Sequence, residues 1–203
     1  MISKHPYTPF IPPGATRLLI GSIPPARFCI EDAQLHSSDV DFYYGSKDNA
    51  FWNLLEEVFE EKLDRSTTQE AITQRKALLV KHGIGITDMI AACTRTNQSA
   101  SDEDLKDLEL KDLNQLLIDH PSIHTLIYTS EFVKKQVNKQ LKGKHLIDRT
   151  NRKKQTILIN GKEYQVRILY SPSPSGLRNL GVDGRLKRLN QYKEFLAADT
   201  PNS

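Results

Sequence analysis

Cysteine is scarce in this sequence: Cys29 and Cys93 are the two in 203 residues. Two thiols cannot build the multi-bridge framework of a small secreted fold, nor the four-thiolate set of a zinc or iron–sulfur centre. No apolar run approaches the roughly 20 residues of a membrane-spanning helix. The opening MISKHPYTPFIPP lacks the apolar stretch of a signal peptide. There is no Walker A loop and no GxGxxG, no internal repeat, and no Gly- or Ser-rich linker. These absences predict a soluble, intracellular, cytoplasmic chain with no membrane partner. It is expected to be a single domain over 1–203, with a Pro-rich arm at 1–16 and a disordered tail at 199–203.

What is present fits a globular protein. A chain of this length buries roughly 70% of its unfolded surface, and 38% apolar with 26% charged residues is the mix of a folded domain. The net charge of +3 hides an asymmetry. Residues 1–129 carry 12 basic and 19 acidic side chains, whereas residues 130–203 carry 16 basic and 6 acidic. A basic half of this kind predicts a face turned toward a polyanion, with nucleic acid first among the candidates.

Local pattern predicts an α/β protein. Arg17-Leu18-Leu19-Ile20-Gly21 and His124–Thr129 read as short buried strands. Phe51, Trp52, Leu54, Leu55, Val58 and Phe59 follow helical spacing, and Thr67-x-x-Glu70 opens a second helix running to about His82, where Gly83 stops it. Gly83–Asp88 enters a further short strand or turn. Asp102–Asp119 reads as an acidic amphipathic helix with a solvated face, Glu131–Leu141 as a helix, and Lys142–Lys154 as a basic loop. Asn160-Gly161 between two apolar runs is a type I′ hairpin signal, and Gly184–Ala198 closes the chain as a helix. Strands alternating with helices predict a three-layer αβα sandwich around a mostly parallel sheet, with the hairpin adding an antiparallel edge.

Ligands of open α/β sheets collect at the carboxyl ends of strands. Three such ends are unusual here: Gly21-Ser22-Ile23-Pro24-Pro25, Thr129-Ser130, and Ser171-Pro172-Ser173-Pro174-Ser175-Gly176-Leu177-Arg178-Asn179. The prolines fix each backbone. A fourth segment, Phe42–Trp52, is aromatic. Phe51 and Trp52 read as core anchors of their helix, whereas Tyr43 and Tyr44 lie outside it. Those two rings either offer a stacking platform for a base or pack under the loop. His120 and His124 have an HxxxH spacing that Pro121 interrupts, which argues against a metal site, and no nucleophile elbow surrounds Ser22. No cofactor is expected.

In order along the chain, these segments resemble the uracil-DNA glycosylase superfamily. GSIPP resembles its glycine-and-proline motif after the first strand, and FYYGSKDNAFW its aromatic segment with an Asn before Phe-Trp. HGIGITDMIAACTR resembles the segment that follows in the hypoxanthine-DNA glycosylase branch, with Asp88 and Cys93 matched. SPSPSGLRN resembles the DNA-intercalation motif of the mismatch-specific branch. The resemblance covers about Arg17 to Leu196. It implies a monofunctional, monomeric enzyme that hydrolyses the N-glycosidic bond of a flipped-out hypoxanthine or uracil in single- or double-stranded DNA. It further implies Asn49 and Ser22 as catalytic residues, and Gly21, Ile23, Pro24, Tyr44, Phe51 and Thr129 around the base. Ser173, Ser175, Gly176 and Arg178 would hold phosphates about the wedge Leu177, with Arg185, Lys187 and Arg188 nearby.

Departures from the family pattern keep two other readings open. Ile23 stands where many members carry Asp or Asn to hold water, Pro25 replaces a glycine, and Ser171 stands where some branches carry His. A silent nucleic-acid binder on the same fold is one alternative. A nucleoside or nucleotide hydrolase is the other, disfavoured because a small substrate needs neither a wedge nor a basic track.

Overall fold

The computed structural model describes residues 2–30, 34–96, 102–141, 144–147, 155–178 and 180–197. The chain has nine strands in two sheets and five helices among these residues. In order they are β1 (Ile2–Lys4), β2 (Arg17–Gly21), α1 (Phe51–Phe59), α2 (Gln69–Lys81), β3 (Ile84–Asp88), β4 (Ile90–Arg95), β5 (Leu105–Leu110), α3 (Leu113–Asp119), β6 (Thr125–Tyr128), α4 (Glu131–Leu141), β7 (Lys144–Ile147), β8 (Gln155–Ile159), β9 (Lys162–Ile168) and α5 (Gly184–Leu196). Contacts gather into two compact units, Met1–Gln34 with Leu79–Ile168, and Leu35–Leu78 with Leu169–Ser203.

The first unit is built on a six-stranded sheet of order β3-β2-β6-β9-β8-β7. Strands β3, β2, β6 and β9 run parallel, and β8 and β7 continue the sheet antiparallel. The β8–β9 hairpin turns at Asn160 and Gly161, both with positive φ (52° and 78°), as a type I′ turn requires. The antiparallel addition is therefore β8 and β7, while β9 joins the parallel set. Parallel strands covered on both faces read as unbroken apolar runs, and Leu18, Leu19, Ile20, Leu126, Ile127 and Tyr128 are all buried. Leu18, Ile20, Leu126, Tyr128 and Val166 form one core with Leu113 and Leu117 of α3 and Val133 and Val137 of α4. The sheet is thus central, mostly parallel and flanked by helices.

A second, three-stranded sheet of order β1-β4-β5 belongs to the same unit. It corrects the helix expected over 102–119. Only Leu113–Asp119 is α-helical, with the Asp112 carboxylate capping it by accepting from Gln115 N at 2.9 Å. Residues 105–110 instead pair with β4 through irregular registers, with Asp107 at φ 48°. The leucine spacing satisfied both periods, and the free edge of β4 decided between them. The N-terminal arm contributes β1 and a bridge from Phe10 to Ile86. Of the expected loop at 142–154, Lys144–Ile147 is strand β7, and the remainder lies outside the described residues, as does the tail at 199–203.

In the second unit α1 packs on α5, with Phe51 and Tyr192 ring centroids 6.4 Å apart and both side chains fully buried. Helix α1 ends where Glu60 turns left-handed (φ 56°). Neighbouring residues of α3 test the burial pattern. Leu117 is 3% exposed and Ile118 is 54% exposed. Leu117→Ala is expected to cost about 2–5 kcal/mol in urea unfolding, against within about 0.5 kcal/mol for Ile118→Ala.

Candidate functional site

In the first unit the chain leaves β2 for β3 on one side, and β6 lies on the other. That reversal of direction is the switch point at which α/β sheets expose their strand ends. Gly21 ends β2 there, Asp88 ends β3 beside it, and Thr129 follows β6. Met89 N and Ile90 N donate to Gly21 O (2.9 Å) and Ser22 O (3.1 Å), which fixes the start of the proline loop. Arg95, 2% exposed, donates from Nη2 to Pro24 O at 2.6 Å and from Nε to Ser3 Oγ at 3.1 Å. Ser22 and Ile23 are half-buried, and Ile23 packs against the core. Thr129 is buried, and its hydroxyl donates to Ile20 O at 3.2 Å.

Around this loop lies a buried polar network. Asp88 Oδ2 is 2.9 Å from His5 Nε2, with both side chains nearly fully covered. Lys111 Nζ lies 3.2 Å from His5 Nδ1 and donates to Tyr7 O at 3.2 Å. Burial lowers the Lys111 pKa, while the Asp88 charge works against that. The Asp102 carboxyl is pushed up to about 6, chiefly by burial. A hydrogen bond from the Ser22 hydroxyl and the Arg95 charge pull it down, and Asp88 pushes it further up. Burial also pushes the Cys29 thiol up to about 11 against the pull of Arg95, so it is neutral at physiological pH and a poor nucleophile. Burial likewise raises Cys93. Among the described residues no cluster of metal-ligating side chains is present.

In the second unit the aromatic loop folds tightly on itself. Buried Asp39 accepts from His36 N (2.9 Å) and Lys47 N (2.8 Å), and Val40 N donates to Gly45 O (2.8 Å). A Cβ on Gly45 would stand 1.8 Å from Val40 O, so only glycine fits. The strained turn sets Tyr44 at φ 55° and stacks its half-buried ring on Phe51, with centroids 4.4 Å apart and planes 27° apart. Tyr43 is fully buried, so of its two open readings the ring packs under the loop; its carbonyl accepts from Trp52 Nε1 at 2.7 Å. Phe51 is likewise covered, as a core anchor. Asn49 Oδ1 accepts from Phe51 N at 2.9 Å, an Asx turn that leads into α1, whose N-cap is Ala50. Tyr44, Ser46, Lys47, Asn49, Arg65 and Arg75 line one shallow cleft.

The second unit also carries the proline–serine loop. Pro174–Leu177 forms a 3-10 turn, and a Cβ on Gly176 would stand 2.3 Å from Ser171 O. The hydroxyls of Ser171, Ser173 and Ser175 are linked at 2.9 Å in a chain. Arg188, 4% exposed, donates to Ser171 O (3.0 Å) and Ser173 O (3.3 Å). It therefore braces the loop from inside rather than facing a phosphate. Pro172 O receives Ala50 N at 3.0 Å, tying this loop to the aromatic one. Leu177 is half-buried, Arg178 is exposed, and Val182 and Leu186 of the same region are exposed apolar side chains. Arg185 pairs with Glu57 at 2.6 Å, and Lys187 donates to Leu180 O. Lys142, Arg149, Arg152, Lys153 and Lys154 of the basic half lie outside the described residues.

Among solved structures the chain is similar to a solution NMR structure from Methanosarcina acetivorans described as a "putative Uracil DNA glycosylase". The TM-score is 0.59 at 18% sequence identity, over 96% of this chain and 98% of that one. The chain has a uracil-DNA-glycosylase-like fold. No protein-family model matches the sequence, and no curated protein matches it.

Sequence reasoning missed Asp102 and Arg95. Asp102 stands in the run Asp102-Glu103-Asp104, where no local pattern singles out one acid. Arg95 ends an apolar run, a faint signal at best. Because the folded pKa of Asp102 lies above the ordinary 3.8, its folded state holds its proton more tightly than the unfolded state. The associated stability is fully present below about pH 4 and is lost as pH rises through about 6, in all roughly 3 kcal/mol by pH 7. Denaturant titrations at several pH values should show this fall in wild type and its loss in Asp102→Asn.

Proposed function

We propose that the chain is a monofunctional DNA glycosylase acting as one domain and as a monomer. It hydrolyses the N-glycosidic bond of a flipped-out deaminated base, hypoxanthine or uracil, during intracellular DNA repair. The observation that carries this reading is the loop at 171–178: a turn made rigid by prolines, a serine chain and buried Arg188, with Leu177 partly open and Arg178 exposed. An enzyme that removes a base from the stack needs a stiff apolar wedge set among groups that hold phosphates. Ser173, Ser175 and the Gly176 backbone suit the second task, and Leu177 suits the first.

In the first unit the base-binding candidates are Gly21, Ile23 and Pro24 of the proline loop and Thr129; in the second it is Tyr44, which, stacked on Phe51, can offer a base a stacking face. Asn49 is the candidate of the second unit for holding the attacking water, and Ser22 is the catalytic candidate of the first. With one lone pair of Asn49 Oδ1 committed to Phe51 N, the other accepts from water and the amide NH₂ donates. Charge developing on the sugar and on the departing base is met by fixed dipoles in a site that needs no reorganisation.

Incubation with duplex and single-stranded DNA carrying U, I, xanthine or a T·G mismatch, followed by alkali, tests this directly. Cleavage at U or I is expected. Asn49→Ala should lose base release while DNA affinity stays near wild type, with about 1 kcal/mol of stability lost with the hydrogen bond to Phe51 N. Asn49→Asp should retain that hydrogen bond and still differ in rate. Wild-type release by Asn49→Ala would remove that residue from catalysis. No release of any test base by wild type, with DNA binding intact, would favour a silent binder. Binding should also weaken steeply with salt, and Arg178→Ala should reduce the log–log slope by about one contact, near 0.9, with little change in base preference.

A further inference from the structure

The shallow cleft of the second unit is lined by hydrogen-bond donors, with no carboxylate among the described residues of its wall. Lys47, Arg65 and Arg75 bring three cations to it, and Ser46, Asn49 and Asn53 bring a hydroxyl and two amides. Arg75 of α2 is 2% exposed and is fixed from behind. Its Nη1 donates to Ala71 O at 2.7 Å and to Asp64 O at 2.8 Å, and its guanidinium lies over the Trp52 ring, 5.2 Å from the centroid. Its Nε is buried without a hydrogen-bond partner. A buried N–H left unpaired is costly, and a charged one more so. Arg17 and Arg188 share that feature, but neither lines this cleft.

We propose that this cleft is a phosphate-binding site built on Arg75, Arg65 and Lys47. A guanidinium presents its donors as a planar fork that matches two oxygens of a phosphate. Arg95 braces its loop with both Nη2 and Nε, whereas Arg75 braces with Nη1 alone, which leaves the Nε edge of the fork for a ligand. Arg65 pairs with Glu56 and Lys47 with Asp48, each at 2.8 Å, and neither carboxylate lines the cleft. Ion pairs as exposed as these are weakly held, so both cations are able to turn onto an anion. The cleft is too shallow for an aromatic base and suits the oxygens of a tetrahedral anion.

Tyr44 and Asn49 stand in the same wall as the three cations. Resting on the glycosylase reading above, the phosphate is the backbone group flanking the extruded nucleotide, whose base stacks on Tyr44 and whose sugar lies by Asn49. The terminal phosphate of a free nucleotide has the same chemistry and is the other source. Burial lowers the Arg75 pKa to about 10, with Glu56 and Asp64 working against that and Arg65 adding to it, so the group is charged at neutral pH. A bound phosphate offsets the crowding of like charges and supplies the acceptor that Nε lacks.

Trp52 lines the cleft and is the sole tryptophan of the chain, so its fluorescence reports on the site directly. The full chain is titrated with inorganic phosphate, and with chloride at matched ionic strength. A saturable change with phosphate and none with chloride is expected. Arg75→Lys, which keeps the charge but not the fork, and Arg65→Ala, at an exposed position, should each weaken phosphate binding on the order of tenfold. Lys135→Ala on α4 should not. Melting curves identify any loss of folding in Arg75→Lys, and Arg65→Ala carries the test independently of it. A second arm uses a uracil oligonucleotide whose phosphate beside the lesion is replaced by a neutral methylphosphonate, and deoxyuridine monophosphate. The neutral linkage should weaken wild-type binding about tenfold and Arg65→Ala no further, because the two changes remove one interaction. A neutral linkage without effect, with the mononucleotide bound as tightly as the strand, overturns the backbone assignment in favour of a nucleotide. No response specific to phosphate, or one that survives both Arg65→Ala and Arg75→Lys, overturns the site and leaves the glycosylase reading standing. A phosphate response in a chain that releases no base overturns the glycosylase reading and leaves the site.

Discussion

Strand β2 is hydrogen-bonded along both edges, to β3 and to β6, and all five of its residues are buried. A strand held in this way can shift neither its register nor its facing without unpairing two neighbours and exposing an apolar row. The geometry of the first unit's polar end follows from that constraint. Gly21 lies opposite Asp88, Thr129 bonds back to Ile20 O, and the proline loop begins at a fixed point. The three-stranded sheet then attaches to that fixed point through Met89 and Ile90, and delivers Arg95 to the loop.

Buried arginine recurs as a device for holding loops. Arg17 donates to His82 O, Arg75 to Asp64 O and Ala71 O, Arg95 to Pro24 O, and Arg188 to Ser171 O and Ser173 O. Each of these side chains is at most 4% exposed. A guanidinium withdrawn from water needs several fixed acceptors to offset its lost hydration, and neighbouring carbonyls of a turn supply them in the right geometry. The consequence for function is that cations counted along the chain overstate those available to a phosphate backbone. Arg188 is committed to bracing the loop and Arg185 to Glu57, whereas Arg178 is exposed.

Apolar character and stability pull apart at the two candidate regions. The aromatic loop spends its bulk on the core, through Phe42, Tyr43, Phe51 and Trp52, and leaves Tyr44 half-exposed in a left-handed conformation. A non-glycine residue held there stores strain that the tight Gly45 turn and the stack on Phe51 must over-determine. Asp102 carries the same signature in electrostatic form, a charge maintained where burial opposes it. Both features destabilise the isolated fold and have a rationale when the loops serve a ligand.

Local pattern was enough for the parallel strands at 17–21 and 125–128, for α1 and α5, and for the Asn160-Gly161 turn, because burial on both faces, helical spacing and positive φ each leave a mark on short stretches. The glycines and prolines of the loops were legible for the same reason: Gly45 and Gly176 meet backbone oxygens that any side chain would strike. Pattern failed at 102–110, where leucines spaced for a helix also suit a strand, and the unpaired edge of β4 made the choice. It also could not distinguish Tyr43 from Tyr44. Depth of burial and the partner across a gap of many residues are properties of the packed chain. Arg95 and Pro24 O meet 71 positions apart in sequence, and no local rule connects residues that only the folded sheets bring together.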